Sequence, residues 1–565
     1  MRNNSFKRSI LLPVLVIMGL YFSGFAASGL SGIDIDTLRK AGRLLGFSFS
    51  QNQAEVMMPS VRVHMQSAET IRSAELDNDV PLPLVFDPLP PGYEVPVSGL
   101  NTTWRIPEEV ILPEDLEQLA FFSIPELASL IRSGRISSED LTLFFLDRLE
   151  KYGDTLEAVV TLTRERALQH ARIADQEIGS GLYRGPLHGI PYGVKDLFSV
   201  EGYVTSWGAM PFKNQRIENT ASVVKKLDEA GAVLVAKLTL GSLAMGDVWY
   251  GGQTRNPWNL EQGSSGSSAG SAAAVSAGLL PFALGTETLG SLVSPSTRCG
   301  ISSLRPTFGR VSRSGAMALS WSMDKIGPMA RSAEDNAIVF DVISGVDGLD
   351  QSLVDAGFYF DYNQDVTNLR VGYIRDFFDE DYTGSDLDKQ VLVDMEGMGV
   401  ELVPVNWEFS LPVNALRIIL MAEAAAAFDK LTTTGLDSML VNQEINAWPN
   451  LFRAARFIPA VEYINANRIR YQLSVEVNEL MDDFDVIITP SFGGNQLMVT
   501  NLTGHPCLVV PNGFTQQGSP HSISFIGKLF EEDKLLALGH AWQQNTAHHL
   551  QRPPLFDSSL NYNNK

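Results

Sequence analysis

Three short segments of this 565-residue chain carry residue types that can do acyl-transfer chemistry. In "GPLHGIPYGVKDLF" (185–198), Lys195 stands between Val194 and Asp196, with Leu197 beyond. Burial among apolar neighbours desolvates an ammonium and lowers its pKa, and a neutral amine is a general base. A lone lysine is more commonly a solvated or ion-paired surface group. In "GSSGSSAGSAAAVSAG" (263–278), a Ser/Gly run enters a helix-forming Ala segment. That arrangement aims backbone N–H groups at one point and lets hydroxyls approach other backbone closely. The competing reading is a flexible linker, and a phosphate loop would need a Gly-Lys-Ser/Thr ending that the run lacks. In "ALGTETLGSLVSP" (283–295), Gly290 before Ser291 suits a tight turn that presents a nucleophile together with N–H donors for an oxyanion. Taken alone, the stretch reads as an ordinary β-turn. A His-based serine triad is the other serine chemistry to weigh; His188 and His505 lie in turn-like segments, and a lone histidine there is more commonly structural.

The three segments together resemble the Lys, Gly-Gly-Ser-Ser-Gly-Gly-Ser and Asp-Thr-Gly-Gly-Ser blocks of the amidase signature family, in the same order and spacing. "TRNPWN" (254–259), "MDKIGPMARSAED" (323–335) and "NLTGHPCLVVPNGF" (501–514) add to the likeness, which spans residues 120–552. The resemblance implies Lys195 as general base, Ser267 as the bridging serine on a cis peptide bond, and Ser291 as nucleophile, 24 positions after Ser267. It implies an oxyanion hole of backbone N–H groups at Thr288, Leu289, Gly290 and Ser291. The implied reaction is hydrolysis of a linear carboxylic amide through an acyl-enzyme, on a small-molecule substrate, with no metal and no cofactor. Two other classes stay open: a relative that binds an amide without turning it over, and the amidotransferase member of the family, which delivers ammonia to a charged transfer RNA.

Several positions depart from the family pattern. Ser265, Ala269 and Leu289 stand where the family has Gly, and Glu287 and Val293 where it has an Asp and an Arg. That Asp–Arg pair is a buried ion pair in the family, and a buried carboxylate without a partner is costly. Arg298, five positions on, is the expected replacement. Leu289 is expected to keep a normal φ, because a bulky side chain disfavours the left-handed region, and to shape the acyl pocket.

The elements that must position these residues read as an α/β fold, a large mixed β-sheet covered by helices on both faces. Segment 29–60 has helical apolar spacing. Pro81, Pro83, Pro88, Pro90, Pro91 and Pro96 mark an irregular arm. Residues 124–134 and 138–152 read as amphipathic helices opened by Ser caps, and 163–178 as a longer helix. Helix 221–230 leads into a buried strand at 232–238; further strands fall at 371–376, 486–490, 505–514 and 522–528, and a last helix at 532–547. The expected division is a signal peptide at 1–27, a helical extension and Pro-rich arm at 28–118, a catalytic domain at 119–555 and a frayed tail at 556–565. Pocket walls are expected from 199–215, 241–251, 289–294, 317–325 and 410–470, with Trp249, Tyr250, Trp321 and Trp448 as either pocket or core aromatics.

Composition narrows the partners. Apolar residues at 44% and charged residues at 19% fit a globular chain with a large core. A net charge of −22 repels phosphate backbones, which argues against nucleic acid. Arg2, Lys7 and Arg8 precede an uncharged apolar run from Ile10 to Phe25 and then small residues at Ala26 to Gly29. This is the pattern of a secretory signal peptide, and the run is short for a bilayer span of about 20 residues. Export to the periplasm or medium, without stable membrane insertion after cleavage, is the expectation. Cys299 and Cys507 are too few for a disulfide framework and are expected as separate buried thiols.

Overall fold

The computed structural model of the protein describes residues 33–73, 76–80, 82, 84–96 and 101–557. The signal-peptide segment and the tail from Ser558 lie outside the described residues. The chain divides into two compact units, one ending at Leu76 and one beginning at Asp77.

In the first unit the expected single helical stretch is two helices, Ile35–Leu44 and Gln51–Arg72. Gly46, at φ +83°, breaks the first. Ser50 and Gln53 then restart the chain with a reciprocal capping box. Leu38, Ala54 and Met58 form the small core between them.

The main sheet of the larger unit has, among the described residues, eleven strands: β1 (Val159–Leu162), β2 (Pro191–Lys195), β3 (Val233–Leu238), β4 (Phe282–Glu287), β5 (Ser302–Arg305), β6 (Lys325–Ala330), β7 (Val371–Ile374), β8 (Leu402–Val405), β9 (Val486–Pro490), β10 (Cys507–Phe514) and β11 (Pro520–Gly527). Their order across one sheet is β1-β3-β2-β4-β6-β5-β10-β11-β9-β7-β8. β2 runs parallel to both β3 and β4, β4 to β6 is antiparallel, and β9, β7 and β8 are parallel again, so the sheet is mixed. Alternation explains its double cover. On β4, Phe282 and Leu284 enter one apolar cluster and Ala283 the other; on β3, Leu234 enters the first and Val233 and Val235 the second. Helices therefore sit on both faces, as the strand–helix alternation predicts.

The predicted helices follow their caps. Ser123 and Glu126 form a capping box ahead of the helix Ile124–Arg132, and the Ser137 hydroxyl receives Asp140 N–H ahead of Ser138–Leu156. Residues 77 onward pack with the larger unit: Tyr93 donates its hydroxyl to Leu529 O at 2.6 Å, and Trp104 Nε1 donates to Asp341 at 3.2 Å. No helix among the described residues is long and apolar enough to cross a membrane.

Candidate active site

Lys195 ends β2 and Glu287 ends β4, and these strands are parallel neighbours, so both residues emerge at one end of the sheet. The carboxyl end of parallel strands is where α/β folds receive ligands. β2 is buried along its whole length. Burial pulls the Lys195 amine down to about 7, while the Asp324 and Glu287 carboxylates act in the opposite direction.

The amine is ringed by hydroxyls. Lys195 Nζ lies 2.8 Å from Ser267 Oγ, 2.9 Å from Thr286 Oγ1 and 3.1 Å from Ser268 Oγ. Ser268 Oγ gives its own proton to Thr286 O at 3.1 Å and accepts Thr286 N–H at 3.1 Å, so toward the amine it can only accept. A neutral amine has two N–H bonds and one lone pair. With Ser268 and Thr286 accepting the N–H bonds, the lone pair is left for the Ser267 hydroxyl. Ser268 and Thr286 are the two residues that sequence reasoning missed here. Ser268 was visible as the second member of the Ser-Ser pair. Thr286 comes into reach only because the parallel register sets Val194 against Leu284.

Ser267 follows a cis Gly266–Ser267 peptide bond and leads into the helix Ala269–Ser276, which is buried throughout. A Cβ on Gly266 would fall 1.8 Å from Gly246 O, so only glycine fits. Ser265, in a family glycine position, does adopt φ +60°, a conformation costing about 1–3 kcal/mol for a residue with a side chain. Two contacts hold it: its N–H donates to Asp247 Oδ2 at 2.9 Å, and its hydroxyl shares a 2.7 Å hydrogen bond with Ser294 Oγ. With Ser268 N–H reaching Ser291 O at 3.3 Å, these bonds stitch the Ser267 loop to the Ser291 turn. Lys195, Ser267 and Ser291 thus converge through direct contact or adjoining backbone.

Ser291 sits in the turn between β4 and the short helix Val293–Cys299 and is partly exposed. The left-handed residue of the turn is Gly290, at φ +82°; Leu289 keeps an ordinary φ, as expected for a bulky side chain. Among the described residues, the N–H groups of Leu289, Gly290 and Ser291 make no hydrogen bond. Beyond them, Glu287 Oε2 accepts the N–H groups of Leu292 at 2.8 Å and Val293 at 3.1 Å. On the near side, Thr288 donates its hydroxyl to Asp324 Oδ1 at 2.5 Å, while Asp324 Oδ2 accepts the N–H groups of Leu319 and Ser320. Burial raises the Asp324 carboxyl, and these donors oppose the rise.

The expected Glu287 partner is corrected. Arg298 is exposed on the outer side of the helix Val293–Cys299 and donates to Gln262 Oε1 at 3.3 Å. Arg305, at the end of β5, is the buried partner: its Nη1 donates to Glu287 Oε1 at 2.7 Å, and Asn501 Nδ2 reaches the same oxygen at 2.8 Å. Burial alone would raise the Glu287 carboxyl; Arg305 and Asn501 hold it at about 2. The carboxylate is therefore compensated, at a different sequence distance from the family's.

The histidines serve turns. His505 Nδ1 pairs with Thr503 Oγ1 at 2.8 Å, and His188 Nδ1 accepts Arg184 N–H at 3.1 Å. Cys299 and Cys507 are free buried thiols.

A cavity of about 330 Å³ opens onto Thr286, Thr288 and Asp324. Leu197, Met317, Leu319, Trp321 and Ile326 give it apolar walls. Stretches 241–251 and 317–325 contribute as expected, through Ala244 and Met317 to Asp324; 199–215, 289–294 and 410–470 contribute nothing to this lining. Trp448 is core, stacked on Phe452 with Nε1 bonded to Leu243 O. Arg313 is the one cation among the described lining residues, and it is committed: Asp350 takes it bidentately at 2.8 and 3.0 Å, and Ser352 Oγ at 2.8 Å.

Comparison with known proteins gives consistent matches. A family model described as Amidase matches residues 140–499. A glutamyl-tRNA(Gln) amidotransferase subunit from Halorhodospira halophila is 34% identical over 487 residues, covering 77% of this chain and 99% of the relative. Among solved structures, an amidase family protein from Bacillus anthracis str. Ames superposes with a TM-score of 0.69 at 26% identity, over 78% of this chain and 93% of that one. Native peptide amidase from Stenotrophomonas maltophilia superposes with a TM-score of 0.68 at 29% identity, over 78% and 100%.

Proposed function

Since the chain belongs to the amidase signature family, whose members act on amide C–N bonds, we propose that it is a hydrolytic amidase working through an acyl-enzyme on Ser291. The observation that carries this reading is the Lys195 amine, buried, near neutrality and 2.8 Å from the Ser267 hydroxyl. Neutral Lys195 takes the Ser267 proton as Ser267 takes that of Ser291, and Ser291 Oγ attacks the amide carbonyl. The N–H groups of the 288–291 turn receive the oxyanion; each such donor is typically worth about 3–4 kcal/mol in the transition state. The proton then returns along the same hydroxyls to the departing nitrogen, which leaves as a neutral amine or ammonia. Water, activated by the same relay, releases the acid. Linear amides with an uncharged apolar acyl group suit the cavity, and the basic, apolar and small-residue pattern at the N-terminus supports export of the mature enzyme.

The second reading, a role within an amidotransferase, is favoured by the 34% identity to a protein so named. An amino-acid amide donor would bring a free carboxylate, and the cation lining the cavity is already occupied by Asp350. The net charge of −22 also opposes a transfer-RNA partner.

The test is release of ammonia or amine from a panel of peptide, aryl and fatty amides by the purified chain alone, with mass spectrometry of the acylated protein. Ser291→Ala is expected to lose at least about 10³-fold in kcat, with Ser267→Ala/Ser291→Ala no worse, because the relay acts as a unit. Lys195→Arg is expected to be as inactive as Lys195→Ala, since a guanidinium does not deprotonate. Equal turnover by wild type and Ser291→Ala would sink the proposal.

A further inference from the structure

The arm that begins at Asp77 lies outside the residues matched by the family model, yet it supplies part of the cavity lining. Asn78 is fastened to the wall: its Oδ1 accepts Ala318 N–H at 2.8 Å and its Nδ2 donates to Ala318 O at 2.9 Å, the pairing a strand neighbour would make. The same Nδ2 reaches Ala427 O at 3.4 Å. Ala318 stands between Met317 and Leu319, both lining residues. A second anchor follows at Phe86. The guanidinium of buried Arg470 lies 3.4 Å from its ring centroid, and Phe308 meets it edge-on at 5.4 Å. Arg470 in turn holds Ser322, through Oγ at 2.8 Å and O at 2.6 Å. Both anchors therefore grip one loop, 318–322, which also carries the backbone donors to Asp324. The arm residues Leu82 and Val85, between the anchors in sequence, line the same cavity as Thr286 and Thr288.

We infer that Asn78, Leu82 and Val85 are specificity-determining residues for the proposed hydrolysis, an inference that rests on that reading of the site. Two physical points define the class they select. The cavity meets the site through Thr286 and Thr288, with Lys195, Ser267 and Ser291 outside its lining, and at about 330 Å³ it is at the small end of ligand pockets, which run from about 300 to 1,000 Å³, so a wall contributed by the arm limits the size of an acyl group that extends into it. The Arg313 charge is paired bidentately with Asp350, and Asp79 and Asp324 also line the cavity, so an anionic acyl group meets carboxylates without an unpaired cation. Short, uncharged, apolar acyl groups are the class that fits. Asn78 acts as a positioning residue, because its contacts are to the wall.

The experiment compares anilides of acetic, butyric, hexanoic and octanoic acid on the full chain and on Leu82→Ala, Val85→Ala, Leu82→Trp and Asn78→Ala. The ratio of kcat/KM for octanoyl over acetyl is expected to rise about ten-fold or more in the two truncations and to fall in Leu82→Trp, since one methylene in an apolar pocket is worth about 10–200-fold. Asn78→Ala is expected to change KM more than kcat for the longer anilides. A ratio unchanged in all four variants overturns the inference. A wild type that cleaves none of the series overturns the hydrolytic reading instead. In that case thermal stabilisation by the matching primary amides, measured on Ser291→Ala with and without Leu82→Ala, decides the wall. A shift of the preferred amide toward longer chains supports the inference, and an unchanged ranking overturns it.

Discussion

An amine removed from water and placed among hydroxyls, with no carboxylate in contact, has little to hold its proton near neutrality. Lys195 is in that position, and the consequence is a pH profile. The charged form cannot accept the Ser267 proton, so kcat/KM should rise with pH, reach half its maximum at about 7 and level off above. An initial-rate series on a neutral amide checks this, and a profile that falls through neutrality contradicts it. Arg305 gives the second prediction at this scale. Arg305→Ala leaves the buried Glu287 carboxylate without its cation and should destabilise by about 3–5 kcal/mol, with activity lost as the Ser291 turn loosens; Arg298→Ala should stay within about 0.5 kcal/mol. Chemical denaturation of both variants separates the two assignments. The pair also marks where sequence reading stops. Lys195, Ser267 and Ser291, the set proposed for catalysis, could be named from sequence because each lies in a block with a recognisable pattern. Arg305 was not, because the nearest arginine in sequence is not the nearest across a sheet. Thr286 and Asp324 were hidden for the same reason: strand register, which no local pattern encodes, brings them in.

At the scale of elements, the Ser291 turn depends on one left-handed residue. A Cβ on Gly290 would meet nothing closer than Leu497 Cδ1 at 3.8 Å, so Gly290→Ala is not a steric clash. Its cost is backbone strain of about 1–2 kcal/mol, relieved by moving the N–H groups proposed to receive the oxyanion. The expected outcome is a fall in kcat of about 10²-fold or more, from a donor displaced in the transition state, with only a few degrees lost in Tm. A thermal melt beside steady-state kinetics checks it; a variant with wild-type kcat would show that the turn's N–H geometry does not matter. Helices were largely legible because their ends are written in side chains, as at Ser123 with Glu126. The first unit shows the limit. Apolar spacing ran through residues 45–50 as one helix, while Gly46 and the Ser50–Gln53 box, both visible in the sequence, set the break. Strands β2 and β6 were read as chemical blocks more than as strands, because their uniform burial removes the period-two alternation that announces a strand.

The molecule as a whole is two units, and the first carries its own small core of Leu38, Ala54 and Met58. Removal of residues 1–76 is therefore expected to leave kcat within about two-fold and the far-UV spectrum of the larger unit intact, as separable units lose little by separation; deletion through residue 87, which takes Asn78 and Phe86 as well, should alter substrate selectivity. Activity assays and circular dichroism on the two truncations distinguish these outcomes. The Asn501 contact to Glu287 reaches across 214 residues of chain, and it has a consequence in time. At about 5–20 residues per second of synthesis, tens of seconds pass between the appearance of Glu287 at the ribosome and that of Asn501. Until then the Glu287 carboxylate, which holds the turn beside Ser291, lacks one of its two side-chain donors, so that turn is completed only late in synthesis.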